Sequence, residues 1–180
     1  MAKKSTKDAA VKSNLAKRTY YKQSDFPIAS LQQAQKIASA IVDNFAGDGR
    51  SPPDVALALG ISPTSSAWPG LTGAAIAYGL IDGGVNAKTM KLTTLGQKLV
   101  APEAEGEDLT ARREAILKPK LLCDFFEKYR RAKLPNDVIA MNVLKGMSLP
   151  ADRVESALEI IKENGRYAGI IRDTPTGPKS

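Results

Sequence analysis

The stretch ISPTSSAWPGLTGAAIAYGLI, residues 61–81, carries hydroxyls and no charge. Ser62, Thr64, Ser65 and Ser66 crowd its start, and no Lys, Arg, Asp or Glu interrupts it. Hydroxyls at a helix start can meet a phosphate, helped by free backbone amides and the helix dipole. The same cluster can instead cap the helix with no ligand at all. Other chemistry is scarce. The chain has no histidine and one cysteine, Cys123. That removes Ser-His-Asp and Cys-His catalysis, HExxH metal sites, Cys/His zinc sites and any internal disulfide. Glu103, Glu105, Glu107 and Asp108 are close in sequence but fall on an acidic, Gly-containing stretch that reads as linker. A catalytic carboxylate pair needs rigid placement, so these read as solvated charges. No GxGxxG or GxxxxGK[ST] motif occurs. The expectation is a protein without enzymatic activity, cofactor or metal. Cys123, Trp68 and Tyr78 read as packing residues.

The charge is unevenly placed. The formal net charge is +7, and residues 1–22 hold seven basic groups against one acid, leaving the rest nearly neutral. A basic leader can hold phosphate backbones loosely, or it can simply be solvated. Further on, Lys88 and Lys91 flank a turn-rich segment. Arg112, Arg113, Lys118, Lys120, Lys128, Arg130, Arg131 and Lys133 outweigh Glu114, Asp124 and Glu127. That run supports phosphate contact or an ordinary solvated helix face. No apolar run approaches a bilayer span, and the N-terminus has no apolar stretch typical of a secretory signal. The reading is a cytoplasmic chain with no membrane partner.

The elements that would position these groups follow from periodicity. Leu31, Ala34, Ala38, Ile41, Val42 and Phe45 share one helical face, with Ser30 as cap and Gly47 as stop. SPPDVALALG makes a short helix with Ser51 as cap, Pro52 at its first position and Gly60 beyond its end. A third helix follows, with Ser62 as cap and Pro63 at its first position. Pro69 then demands either a kink after Trp68 or a later helix start, with PTSSA as a separate turn. DGGVNA suits a hairpin tip, KTMKLT alternates like a strand, and LTTLGQKLV returns to helix behind Thr93 or Thr94. Beyond the acidic stretch, KLLCDFFEKYR carries an apolar stripe. Asn136 caps the next helix and Gly146 stops it. Ser148 caps a last helix that Gly165 stops, and RYAGII ends it like a strand.

This order (three helices, Gly-Leu-Ile, hairpin, then the LT-x-LG segment) resembles the winged-helix family, including the MarR-like regulators, over residues 26–101. Asp54-Val55, Gly60-Ile61-Ser62 and YGLI are echoed by Asp137-Val138, Gly146-Met147-Ser148 and YAGII. A chain of this shape is similar to tandem winged-helix proteins of bacteria and archaea. The expected fold is mainly α with a small β-hairpin: a winged helix-turn-helix, then a second, degenerate helix-turn-helix module. The expected division is a basic tail (1–25), the winged domain (26–101), an acidic linker (102–108), the second module (109–171) and a flexible C-terminus (172–180).

In winged-helix DNA readers the third helix enters the major groove. Here it offers no bidentate base reader. The resemblance implies double-stranded DNA as partner, contacted through backbone by Thr64, Ser65, Ser66, Lys88, Lys91, Arg112 and Arg113. The alternative is a protein-interaction or dimerising module. On helical spacing Leu71, Ala74, Ala75 and Tyr78 face the first helix, while Gly73, Ile76 and Ala77 form an outward, uncharged surface suited to the second module, a second copy or another protein.

Overall fold

The computed structural model describes residues 22 and 24–173; the expectations for the basic tail before them and for 174–180 lie outside the described residues. Chain order gives α1 (Leu31–Phe45), α2 (Pro52–Ala58), α3 (Ala67–Ala77), β1 (Ile81–Asp82), β2 (Lys91–Leu92), α4 (Thr94–Val100), α5 (Glu107–Ile116), α6 (Lys120–Lys128), α7 (Asp137–Gly146) and α8 (Val154–Tyr167). The described residues are therefore mainly helical with one small antiparallel sheet, an order compatible with a winged helix. No helix among the described residues is long and apolar enough to cross a membrane.

α1 is fixed locally by a full capping box. The Ser30 hydroxyl accepts from Gln33 N, and the Gln33 side chain accepts from Ser30 N. Its apolar stripe buries Leu31, Ala34, Ile37, Ala38 and Ile41 against α3 and α4. Ser51 caps α2 and Thr93 caps α4. The strand pairing is Ile81 with Leu92 and Asp82 with Lys91, and Met90 bridges to Arg50. The expected strand at 88–93 is thus shorter than its alternation suggested, but it is flanked on both sides.

The LT-x-LG segment has a geometric cause. The Thr93 hydroxyl donates to Gly79 O at 2.6 Å while accepting from Gly96 N at 2.9 Å, so one side chain joins the end of α3 to the start of α4. A Cβ at Gly96 would lie 2.1 Å from Leu80 O, so only glycine allows this approach.

Four helices end alike. Gly60, Gly79, Ser148 and Gly169 all have positive φ just past α2, α3, α7 and α8. The next amide in each case (Ile61, Leu80, Leu149, Ile170) reaches back to the carbonyl of Ala56, Ala75, Leu144 or Gly165. These are Schellman closures, each followed by an apolar residue.

They correct three expectations. Ser148 does not cap the last helix; it occupies the left-handed position that ends α7, and a 3-10 turn at Ala151–Arg153 precedes α8. Gly165 is not a stop, because α8 runs on to Tyr167 and turns at Gly169; a Cβ on Gly165 would sit 2.4 Å from Ile171 Cδ1. RYAGII is consequently the helix end and its returning turn, not a strand. Glu107 and Asp108, read from sequence as linker, form the first turn of α5.

The halves share one continuous core, running from Phe26 and Leu31 through Tyr78 and Ile116 to Phe125, Ile161 and Ile171. A buried polar clamp joins them. Asn164 of α8 accepts from Leu31 N at 2.8 Å and donates to the Tyr78 hydroxyl at 2.8 Å, which donates to Ala29 O at 2.8 Å. Beside it the Ser30 hydroxyl donates to Glu163, and the Tyr167 hydroxyl donates to Gln35. Burial holds the Tyr78 hydroxyl neutral far above the usual phenol range; the amide of Asn164 opposes that shift and the Glu163 carboxylate adds to it.

Candidate nucleic-acid interface

The start of α3 differs from the capped start expected at Ser62. Ser62 and Thr64 hydroxyls bond each other at 2.9 Å in a local turn, and Ala67 opens the helix. Pro69 explains this. At the third helical position its missing N–H costs nothing, whereas a helix begun at Pro63 would place it in the interior, at about 3 kcal/mol. The separate-turn alternative for PTSSA is the one observed.

This arrangement fixes what the hydroxyls can offer. Ser65 is half-buried, and its hydroxyl accepts from Ala67 N at 3.3 Å. Thr64 and Ser66 are exposed, and Ser66 makes no side-chain cap bond. The Trp68 amide is spent on Ser65 O, and Pro69 has none to give. Only a small part of the usual helix-start amide array is open to a phosphate.

Lys88 and Lys91 are exposed, Lys88 in the turn between the strands and Lys91 on β2. Arg50, not singled out from sequence, joins them through its bridge to Met90, and its guanidinium lies 5.2 Å from the Phe45 ring centroid. The signal for it was the order itself, which places a short extended segment just before the second helix. Asp82 stands opposite Lys91 in the ladder and offsets part of the charge.

Arg112 and Arg113 are held in internal contacts. Arg112 bonds Asp108 at 2.7 Å, and its guanidinium lies 4.4 Å from the Tyr167 ring centroid. The Arg113 Nε donates to Ala168 O at 3.1 Å, satisfying a carbonyl at the end of α8. Both residues tie α5 to α8.

The predicted apolar face is partly corrected. Ile76 is 42% exposed and Gly73 half-buried, but Ala77 is only 8% exposed. α3 contacts α1 and leads directly into β1, which leaves a narrow outward stripe of Ser66, Pro69, Gly73 and Ile76. Leu71, expected to be inward, is half-buried beside a groove of about 420 Å³ that also involves Ile28, Leu59 and Ile61. Trp68 and Tyr78 are core residues, and Cys123 is half-buried.

Comparison with family models, curated proteins and solved structures finds no match for this chain.

Proposed function

We propose that residues 26–101 form a winged helix that associates with double-stranded DNA, mainly through its backbone, and that the protein is regulator-like and not enzymatic. The observation that carries this reading is the small sheet beside α3. It carries Arg50, Lys88 and Lys91 on or beside β2, while its β1 strand packs on α3, whose outward stripe starts with the Ser66 hydroxyl and contains no base-reading side chain. Backbone contacts without base contacts give affinity without sequence preference. A mobility-shift titration of the full chain against duplex DNA across salt tests it. Each phosphate contact contributes about −0.9 to the slope of log K against log salt, so Lys88→Ala with Lys91→Ala should flatten the slope by about 2. No binding at about 50 mM salt, or an unchanged slope, ends the reading.

The second reading is a protein-interaction module. Ile28, Leu57 and Ile76 are exposed at 51%, 64% and 42%, which favours it. Ile76→Asp would then abolish self-association or partner capture without loss of helicity; a wild-type chain that stays monomeric and loses no partner on this change argues against it.

A further inference from the structure

Between α6, α7 and α8 lies a cavity of about 560 Å³, within the span of small-molecule sites. Its inner wall is apolar, with Phe125, Leu158 and Ile161 all nearly or fully buried. Its mouth holds Lys133, Lys162 and Arg166, with Asp137 in the lining and Asp173 just beyond it on Arg166. Helical spacing orders this on α8. Leu158, Lys162 and Arg166 follow at intervals of four, so an apolar floor passes into two cations along one face.

We infer that this cavity binds a small organic monoanion with an apolar body, such as a medium-chain or aromatic carboxylate. The two α8 cations already carry carboxylates of the chain itself: Lys162 Nζ meets Asp137 Oδ1 at 2.5 Å and Arg166 Nε meets Asp173 Oδ2 at 3.2 Å. The carboxylate partners Asp137 and Asp173 are well exposed, so these pairs are weak and an incoming carboxylate can replace them. A cationic ligand would find the lining carboxylate, Asp137, already engaged by Lys162. A small hydrophilic anion would leave the apolar wall unused. None of the lining residues belongs to the proposed nucleic-acid surface, so the two ideas stand or fall separately.

The test is competition against a fluorescent amphipathic anion, anilinonaphthalene sulfonate, on the full folded chain without DNA. The expected result is saturable one-to-one binding, displaced by octanoate at about tenfold lower concentration than by octan-1-ol, and not by inorganic phosphate. Lys162→Met should weaken octanoate by about tenfold. Asp137→Asn should strengthen it about two- to fivefold, because it removes the competing carboxylate. A purely structural role for the pair predicts no such gain. Ala140→Phe, which fills the cavity, should abolish binding. Octan-1-ol competing as well as octanoate, phosphate displacing the probe, or Asp137→Asn leaving affinity unchanged or lower overturns the inference. If Ala140→Phe does not fold, the opposed effects at Lys162 and Asp137 still decide.

Discussion

Replacing Asn164 by alanine removes the centre of the buried polar clamp between the two halves. Asn164 is fully buried and uses both ends of its amide, one on Leu31 N and one on the Tyr78 hydroxyl. Without it, the first amide of α1 is left buried and unpaired, which costs about 1–3 kcal/mol. The Tyr78 hydroxyl keeps its acceptor, Ala29 O, and loses only a donor, worth about 1 kcal/mol. Alanine returns about 0.5 kcal/mol through helix propensity in α8. The net expectation is a loss of about 1.5–3.5 kcal/mol, or a fall in Tm of roughly 3–14 °C for a chain of this size. Urea unfolding followed by circular dichroism and by the single tryptophan measures it. Trp68 reports α3 while the helical signal reports both halves, so the two probes should shift together. Tyr78→Phe leaves the Asn164 bond to Leu31 intact and should cost less. The double variant should lose less than the two singles summed, by about 0.5 kcal/mol or more. An Asn164→Ala loss below about 0.5 kcal/mol, the level of ordinary surface changes, would refute the clamp as a stabilising element.

Two further outcomes follow from the same geometry. Ser148→Gly should stabilise the protein by about 0.5–1 kcal/mol, because a serine now holds the left-handed position that glycine occupies at the other three Schellman ends; a shift of the urea midpoint checks it. The raised Tyr78 pKa fixes a sign: the unfolded phenol ionises near pH 10 while the native one stays protonated, so its stability contribution is full below that pH and lost above it. Stability should therefore fall by up to about 1.4 kcal/mol per pH unit above 10 in the wild type, and Tyr78→Phe should reduce that slope in parallel urea titrations.

Signals that act within a few residues were legible in the sequence. Ser30, Ser51, Thr93 and Asn136 all cap the helices expected of them, since capping needs only a side chain and an amide three positions on. The hairpin and the apolar stripes of α1 and α6 were legible for the same reason. Errors arose where a local signal had two uses. Gly165 looked like a stop, yet it is there because Ile171 and Phe126 press on α8. Ser148 looked like a cap, yet it ends α7. Arg112 and Arg113 looked like phosphate contacts or solvated cations, and only the return of α8 beside α5 shows what they hold within the fold. The clamp joins residues more than eighty positions apart, and the cavity gathers side chains from three helices; no periodicity encodes either.

The corrected helix ends also sharpen the internal echo. Aligning Gly60-Ile61 with Ser148-Leu149, and Gly79-Leu80 with Gly169-Ile170, matches positions that do the same job, closing the second and third helices of each half. α3 and α8 share this ending but have divergent surroundings. α3 leaves a narrow uncharged stripe outward. α8 commits Asn164, Glu163 and Tyr167 to α1 and buries Ala157, Leu158 and Ile161 in the core. Its Lys162 and Arg166 border both the cavity and a groove shared with Gln32 of α1, and they are bridged by Asp137 and Asp173. One helix thus serves two contacts: Asn164, Glu163 and Tyr167 brace α1, while Leu158, Ile161, Lys162 and Arg166 line the cavity.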